Sequence, residues 1–147
     1  MRTSAVALLA LLSGCGSNQS AEQQVSQMSV APQPIGYPDI EANELYGASC
    51  AYASGRSMAP IVIAFSDVAV MKIDGQIRRF TLDPQCKEVK NGTGSRYLAN
   101  GHVLDLAVEG EGTRSGGGPV TFNGSVKLSN GAGQILYETT GTAQCGA

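Results

Sequence analysis

Histidine is almost missing from this chain: His102 is the only one among 147 residues. One imidazole cannot build a His-rich metal site, and no Cys-x-x-Cys pair supplies thiolates instead. Neither a metal nor a cofactor is expected. Catalytic frames are missing as well. No serine sits in a Gly-x-Ser-x-Gly elbow. The glycine-dense TRSGGGP at 113–119 lacks the Gly-Lys-Ser/Thr ending and the following helix of a phosphate loop, so it reads as a surface loop. Asp105 and Glu109 share a strand face, but four residues of strand separate them by about 13 Å, beyond the spacing of glycosidase carboxylates. An enzyme reading would need His102 to meet a distant carboxylate. Beside the Asn100-Gly101 turn, its ordinary role is a strand-end residue with a satisfied hydrogen bond. The chain is expected not to be an enzyme.

Charge is sparse and mixed, with 10 Lys and Arg against 12 Asp and Glu. That excludes a nucleic-acid footprint. No 12-residue window carries a 3.6-residue apolar stripe, so helices are not expected. No segment reaches the roughly 20 apolar residues needed to cross a bilayer. The one apolar run, Ala5 to Leu12, is shorter. It follows Met1-Arg2 and leads into Ser13 and Gly14, the layout of a secretory signal peptide.

The exit of that peptide, Leu12-Ser13-Gly14-Cys15, resembles the lipobox of bacterial lipoproteins. The resemblance implies that the Cys15 thiol is alkylated with diacylglycerol, the chain is cut before Cys15, and the new amino terminus is acylated. Several acyl chains on one residue make a stable anchor, at about 0.8 kcal/mol per buried methylene. Gly16 is not the Asp associated with inner-membrane retention in that family, so the inner leaflet of the outer membrane, facing the periplasm, is the implied address. Residues 1–14 are then the signal peptide. Residues 15–43, rich in Ser, Gln, Ala and Pro, read as a flexible tether with an end-to-end distance of roughly 30 Å. Within it, Ile35, Tyr37 and Ile40 are the residues able to pack back on the domain as an arm. Cleavage leaves nine basic and twelve acidic residues, a net charge of −3.

Residues 44–147 form one small domain of strand signals at short spacing. Turn dipeptides punctuate it: Asp74-Gly75, Asn91-Gly92, Asn100-Gly101, Asn123-Gly124 and Asn130-Gly131. Two hairpins stand out. One joins VAVMKI (68–73) to QIRRFTL (76–82) through Asp74-Gly75. The other joins VTFNGSVKLS (120–129) to QILYETTGTAQC (134–145) through NGAG. Asn123-Gly124 lies inside a strand pattern, where a bulge competes with a turn. In HVLDLAVE (102–109), His102, Leu104, Leu106 and Val108 share one face. Strands are also expected in YGASCAYAS (46–54) and PIVIAF (60–65). The fold class is all-β: a single antiparallel barrel or sandwich of about seven or eight strands.

With Cys15 given to lipid, Cys50, Cys86 and Cys145 remain, so at most one internal bridge is expected among three pairings. Cys50 is on the first core strand and Cys145 ends the last. Those strands are neighbours in a closed sheet, so Cys50–Cys145 is the expected pair, worth about 4–5 kcal/mol in the chain-entropy model. Cys86 is then expected as a free thiol or an intermolecular partner.

One local segment, GTGSRYLANG (92–101), resembles the Ser-Gly-x-x-Tyr stretch of the membrane-bound inhibitors of C-type lysozyme, small periplasmic β-barrel lipoproteins. The resemblance implies that Thr93, Gly94, Ser95 and Tyr97 belong to a partner-binding loop that enters the lysozyme cleft. The chain departs from that family at Glu109, where a Lys is needed, and in having no Trp. The expected function is a non-catalytic binding or structural module of the cell envelope. It meets the membrane through its anchor and binds an envelope protein or lysozyme.

Overall fold

The computed structural model describes residues 29–86 and 91–146. Cys15 and the signal peptide lie outside them. Eight strands run in chain order: β1 Ser49–Ser54, β2 Pro60–Ala64, β3 Val68–Ile73, β4 Gln76–Leu82, β5 Arg96–Ala99, β6 His102–Arg114, β7 Val120–Asn130 and β8 Ile135–Gly146. Each pairs antiparallel with the next, and β8 returns to β1, which closes a barrel. The all-β reading is thus resolved in favour of the barrel.

Turn chemistry sets the register. Asp74 (φ 51°) and Gly75 (φ 74°) both take positive φ, as a two-residue hairpin whose twist matches its strands requires. Ile73 therefore faces Gln76, and the ladder runs to Val68 opposite Thr81. At 130–134 the Asn130 side-chain oxygen accepts the N–H groups of Ala132 and Gln134, both at 3.0 Å, and so holds the second hairpin's loop. Asn123-Gly124 departs from expectation, being neither turn nor bulge. Both residues lie in regular β7, opposite Glu109 and Val108. The irregularity is across the ladder in β6, between Glu109 and Thr113, where Gly110 and Gly112 adopt positive φ. Gly124 serves close packing instead: a Cβ there would lie 3.0 Å from that of Ala143.

Alternation fills the barrel. Tyr52, Val62, Met71, Phe80, Tyr97, Leu104, Leu106, Val126 and Leu128 are all buried in one inner cluster. Cys50 sits directly opposite Cys145 in the β1–β8 ladder, and the two form a disulfide closing a 95-residue separation, as expected. Cys86 corrects the expectation of a free thiol. It is disulfide-bonded, and no described cysteine is free. The count of at most one internal bridge presupposed that Cys15 is unavailable to pair.

The tether boundary also moves. Residues from Val30 onward are docked on the barrel; of the three residues able to pack back, Ile35 and Ile40 do so, whereas Tyr37 is exposed. The Val30 N–H donates to Leu136 O (3.1 Å), Gln33 N–H to Lys72 O (2.8 Å) and Ile35 N–H to Pro60 O (2.8 Å). The short helix α1 (Tyr37–Asn43) follows, its start fixed by Asp39, which accepts the Gly36 N–H at 2.8 Å. Ile35, Ile40 and Leu45 cover Ile63, Val70 and Ile77 on the outer face of β2–β4, forming a second apolar cluster outside the barrel. Lys72 pairs with Asp39 at 3.0 Å, and Arg79 Nη2 donates to Asn43 O at 3.0 Å. The folded unit therefore includes this arm.

Candidate functional site

The barrel has two ends. The lower carries the start of β1 and the end of β8. The upper carries the turns at 74–75, 100–101 and 131–133.

The resemblance-derived loop belongs to the lower half. Its Thr93 is only 2% exposed and turns inward. It hydrogen-bonds the Tyr52 phenol, and its Oγ1 lies 3.8 Å from Cys50 Sγ. Gly94 N–H donates to Tyr97 Oη (2.8 Å), and that hydroxyl donates to Phe65 O (2.6 Å). Ser95 offers its carbonyl to Leu106 N–H at 2.9 Å. The loop is thus stitched into the wall, and Thr93 does not project. Burial pushes the Tyr52 phenol far above its ordinary range, with Tyr97 adding and Thr93 opposing. Burial also raises Tyr97, against the Gly94 N–H that lowers it. Both phenols are neutral hydrogen-bonding groups. The space beside them, between Thr93 and Val108, is about 130 Å³, small for an organic ligand. A wider groove of about 650 Å³ at the lower end has walls largely of glycine and backbone, with Arg114 as its one charged residue.

His102 stands at the upper end, exposed, with Nδ1 3.2 Å from Asn100 O. That backbone carbonyl is its one hydrogen-bond partner among the described residues. Asp105 is engaged elsewhere: it holds Arg96 at 2.7 Å and lies 3.9 Å from Lys127 on the outer face, bridging β5, β6 and β7. Glu109 is exposed.

The feature that sequence reasoning missed is a cleft at the upper end. β4 and β5 pair only at Thr81–Leu98 and Leu82–Tyr97. Above these, residues 76–80 of β4 have no strand partner on the β5 side. The opening holds a cleft of about 630 Å³. Phe80 (3% exposed) and Leu128 (1% exposed) form its floor, with Ile73 and Ala99 beside them. Val30 of the arm closes one side, and Arg78, Asn100 and His102 sit on the rim. Arg78 and Arg79 face opposite sides, as the alternation of β4 predicts. Arg79 secures the arm, whereas Arg78 makes no hydrogen bond or ion pair among the described residues. The available signal was strand length: QIRRFTL is nearly twice as long as RYLA, so one edge must run on unpaired.

An antiparallel eight-stranded barrel with a docked N-terminal arm and an apolar cleft between β4 and β5 is the class these observations define. Compared with known proteins, the chain matches no family model, no curated protein and no solved structure.

Proposed function

We propose that this is a lipid-anchored envelope protein whose barrel is a non-catalytic binding module facing the periplasm from the outer membrane. The lipobox-like Leu12-Ser13-Gly14-Cys15 supports the anchor. The observation that carries the reading is how the chain enters the fold. The segment downstream of Cys15 ends as an arm hydrogen-bonded to β8, β3 and β2, and its first described contacts line the upper cleft. Only residues 16–29 then separate the anchor from the barrel. A chain of that length reaches at most roughly 50 Å even when fully extended. The upper end is therefore held near the membrane surface, and the cleft faces material arriving from it.

Intact mass of protein extracted from membranes tests the anchor. The expected species begins at Cys15 and carries diacylglycerol and an N-acyl chain, and Cys15→Ala moves the protein to the soluble fraction. An unmodified Cys15 refutes the anchor. The same spectrum reads the cysteine count, because a Cys15 thioether excludes a disulfide between Cys15 and Cys86.

A further inference from the structure

The upper cleft combines three properties. Its floor is buried and apolar, with Phe80 and Leu128 reached through the gap between β4 and β5. Its volume, about 630 Å³, is within the roughly 300–1,000 Å³ typical of small-ligand clefts. Its lining holds two guanidinium groups, Arg78 and Arg79: Arg79 donates to Asn43 O, whereas Arg78 makes no hydrogen bond or ion pair among the described residues. An apolar floor beside guanidinium groups that no described carboxylate neutralises, with Arg78 also free of hydrogen bonds among the described residues, complements an apolar body that ends in a negative charge. The arm adds a location. Val30 lines the same cleft and lies fifteen residues after Cys15, so the opening is close to the lipid surface if the anchor is as proposed above.

We propose that this cleft binds a single-chain amphiphile with one anionic head group. The acyl chain lies on Phe80 and Leu128 through the β4–β5 gap, and the head pairs with Arg78. The inference rests on the binding-module reading and deepens it. A free fatty acid and a lysophospholipid share this chemistry.

The test uses the full chain in its own membranes. Dodecanoate carrying a terminal diazirine is added, photolysed, and the labelled peptides are mapped; lysophosphatidylglycerol with the same reactive tail forms the second arm. Label is expected within residues 71–82 and 99–128. Arg78→Gln, an exposed change that leaves the core intact, is expected to lower labelling about tenfold, the loss of one charge-assisted hydrogen bond. Ala99→Leu, which narrows the entrance, is expected to lower it similarly. Whichever probe is competed more strongly by its unlabelled form identifies the source. Label confined to other peptides, or unchanged by Ala99→Leu, overturns the site. Label lost in Ala99→Leu but unchanged in Arg78→Gln overturns the anionic head group. The soluble Cys15→Ala protein is labelled in parallel. Cleft labelling there, with no lipid found on wild-type Cys15, separates failure of the anchor from failure of the cleft.

Discussion

Replacing both Cys50 and Cys145 by alanine probes how the barrel is closed. The bridge spans a 95-residue separation, so it confines nearly the whole domain when unfolded. In the chain-entropy model a loop of that length contributes about 4.7 kcal/mol at 25 °C. The half-cystines are also core residues, Cys50 fully buried and Cys145 6% exposed, so lost sulfur packing acts in the same direction. Small domains carry about 5–15 kcal/mol in all. The double variant should therefore lose a third or more of its stability, with Tm falling by roughly 15–20 °C. Substitution is preferable to chemical reduction, which is not selective for this bridge. In urea, the midpoint should fall and m should rise, because the released chain exposes more surface when unfolded. A loss below about 1 kcal/mol with unchanged m would refute the reasoning. It would mean that the six registered pairs between β1 and β8 close the barrel without help from the cross-link.

Other outcomes follow from single positions. Gly141→Ala places a Cβ against the Ala53 carbonyl oxygen and 2.7 Å from the Gly55 nitrogen. A loss of about 3 kcal/mol is expected in urea unfolding, and a neutral variant would contradict this packing. Tyr52 and Tyr97 have folded pKa values raised above 10.0, so the unfolded state releases their protons first. Their contribution is complete below pH 10 and declines as pH rises beyond it, and Tyr52→Phe should flatten that decline when unfolding is followed by circular dichroism. Asp39 is lowered below 3.8, first by the Gly36 N–H and then by Lys72, so its contribution is present above that pH and lost as pH falls through the depressed value. Protection from hydrogen exchange at Gln33 and Ile35, taken relative to the intrinsic rate at each pH, should fall on acidification and in Asp39→Asn, while protection in β6–β8 is kept. Ile35→Ala, at a site 3% exposed, should cost about 2–4 kcal/mol; a loss below 0.5 kcal/mol would show that the arm adds little to the fold.

The barrel was legible wherever periodicity and turn chemistry agreed. VAVMKI-DG-QIRRFTL gave the β3–β4 hairpin with its observed ends, because Asp-Gly needs no tertiary help to turn a chain. The Cys50–Cys145 pair followed from closure alone. The arm was harder, since VAPQPIGYPDI has no periodicity of its own and gains its shape from the surface beneath it. The signal was in the strands it covers. PIVIA is apolar on both faces, and such a strand needs cover on its outer side as well as a core on its inner side. Ile35, Ile40 and Leu45 supply that cover. The glycines misled for a related reason. Asn123-Gly124 has the composition of a turn, but Gly124 answers to Ala143 across the ladder, a constraint invisible without the pairing. The cleft was hidden because an unpaired edge belongs to two strands at once, and β5 shows its shortness only when set beside β4.

The distribution of pairing around the barrel bears on where it works. β6, β7 and β8 are long and pair along most of their lengths, and the β8–β1 seam carries the disulfide. The β4–β5 seam has two registered pairs. Local opening follows the least-paired backbone, so this seam should separate at the lowest free energy in the molecule. The arm reinforces β3 and β4 from outside, through Lys72–Asp39 and Arg79–Asn43, and among the described residues makes no hydrogen bond or ion pair to β5. One lip of the cleft is therefore braced by the arm, while the other, the β5–β6 turn with Asn100 and His102, is held by its pairing to β6 and β7 alone. An amphiphile in the proposed cleft would bear on this weakly paired seam rather than on the closed half of the barrel. If that division holds, hydrogen exchange at residues 96–101 should slow when an amphiphile is bound, with β1 and β8 unaffected. Uniform slowing across all strands would place the ligand's effect on global stability instead.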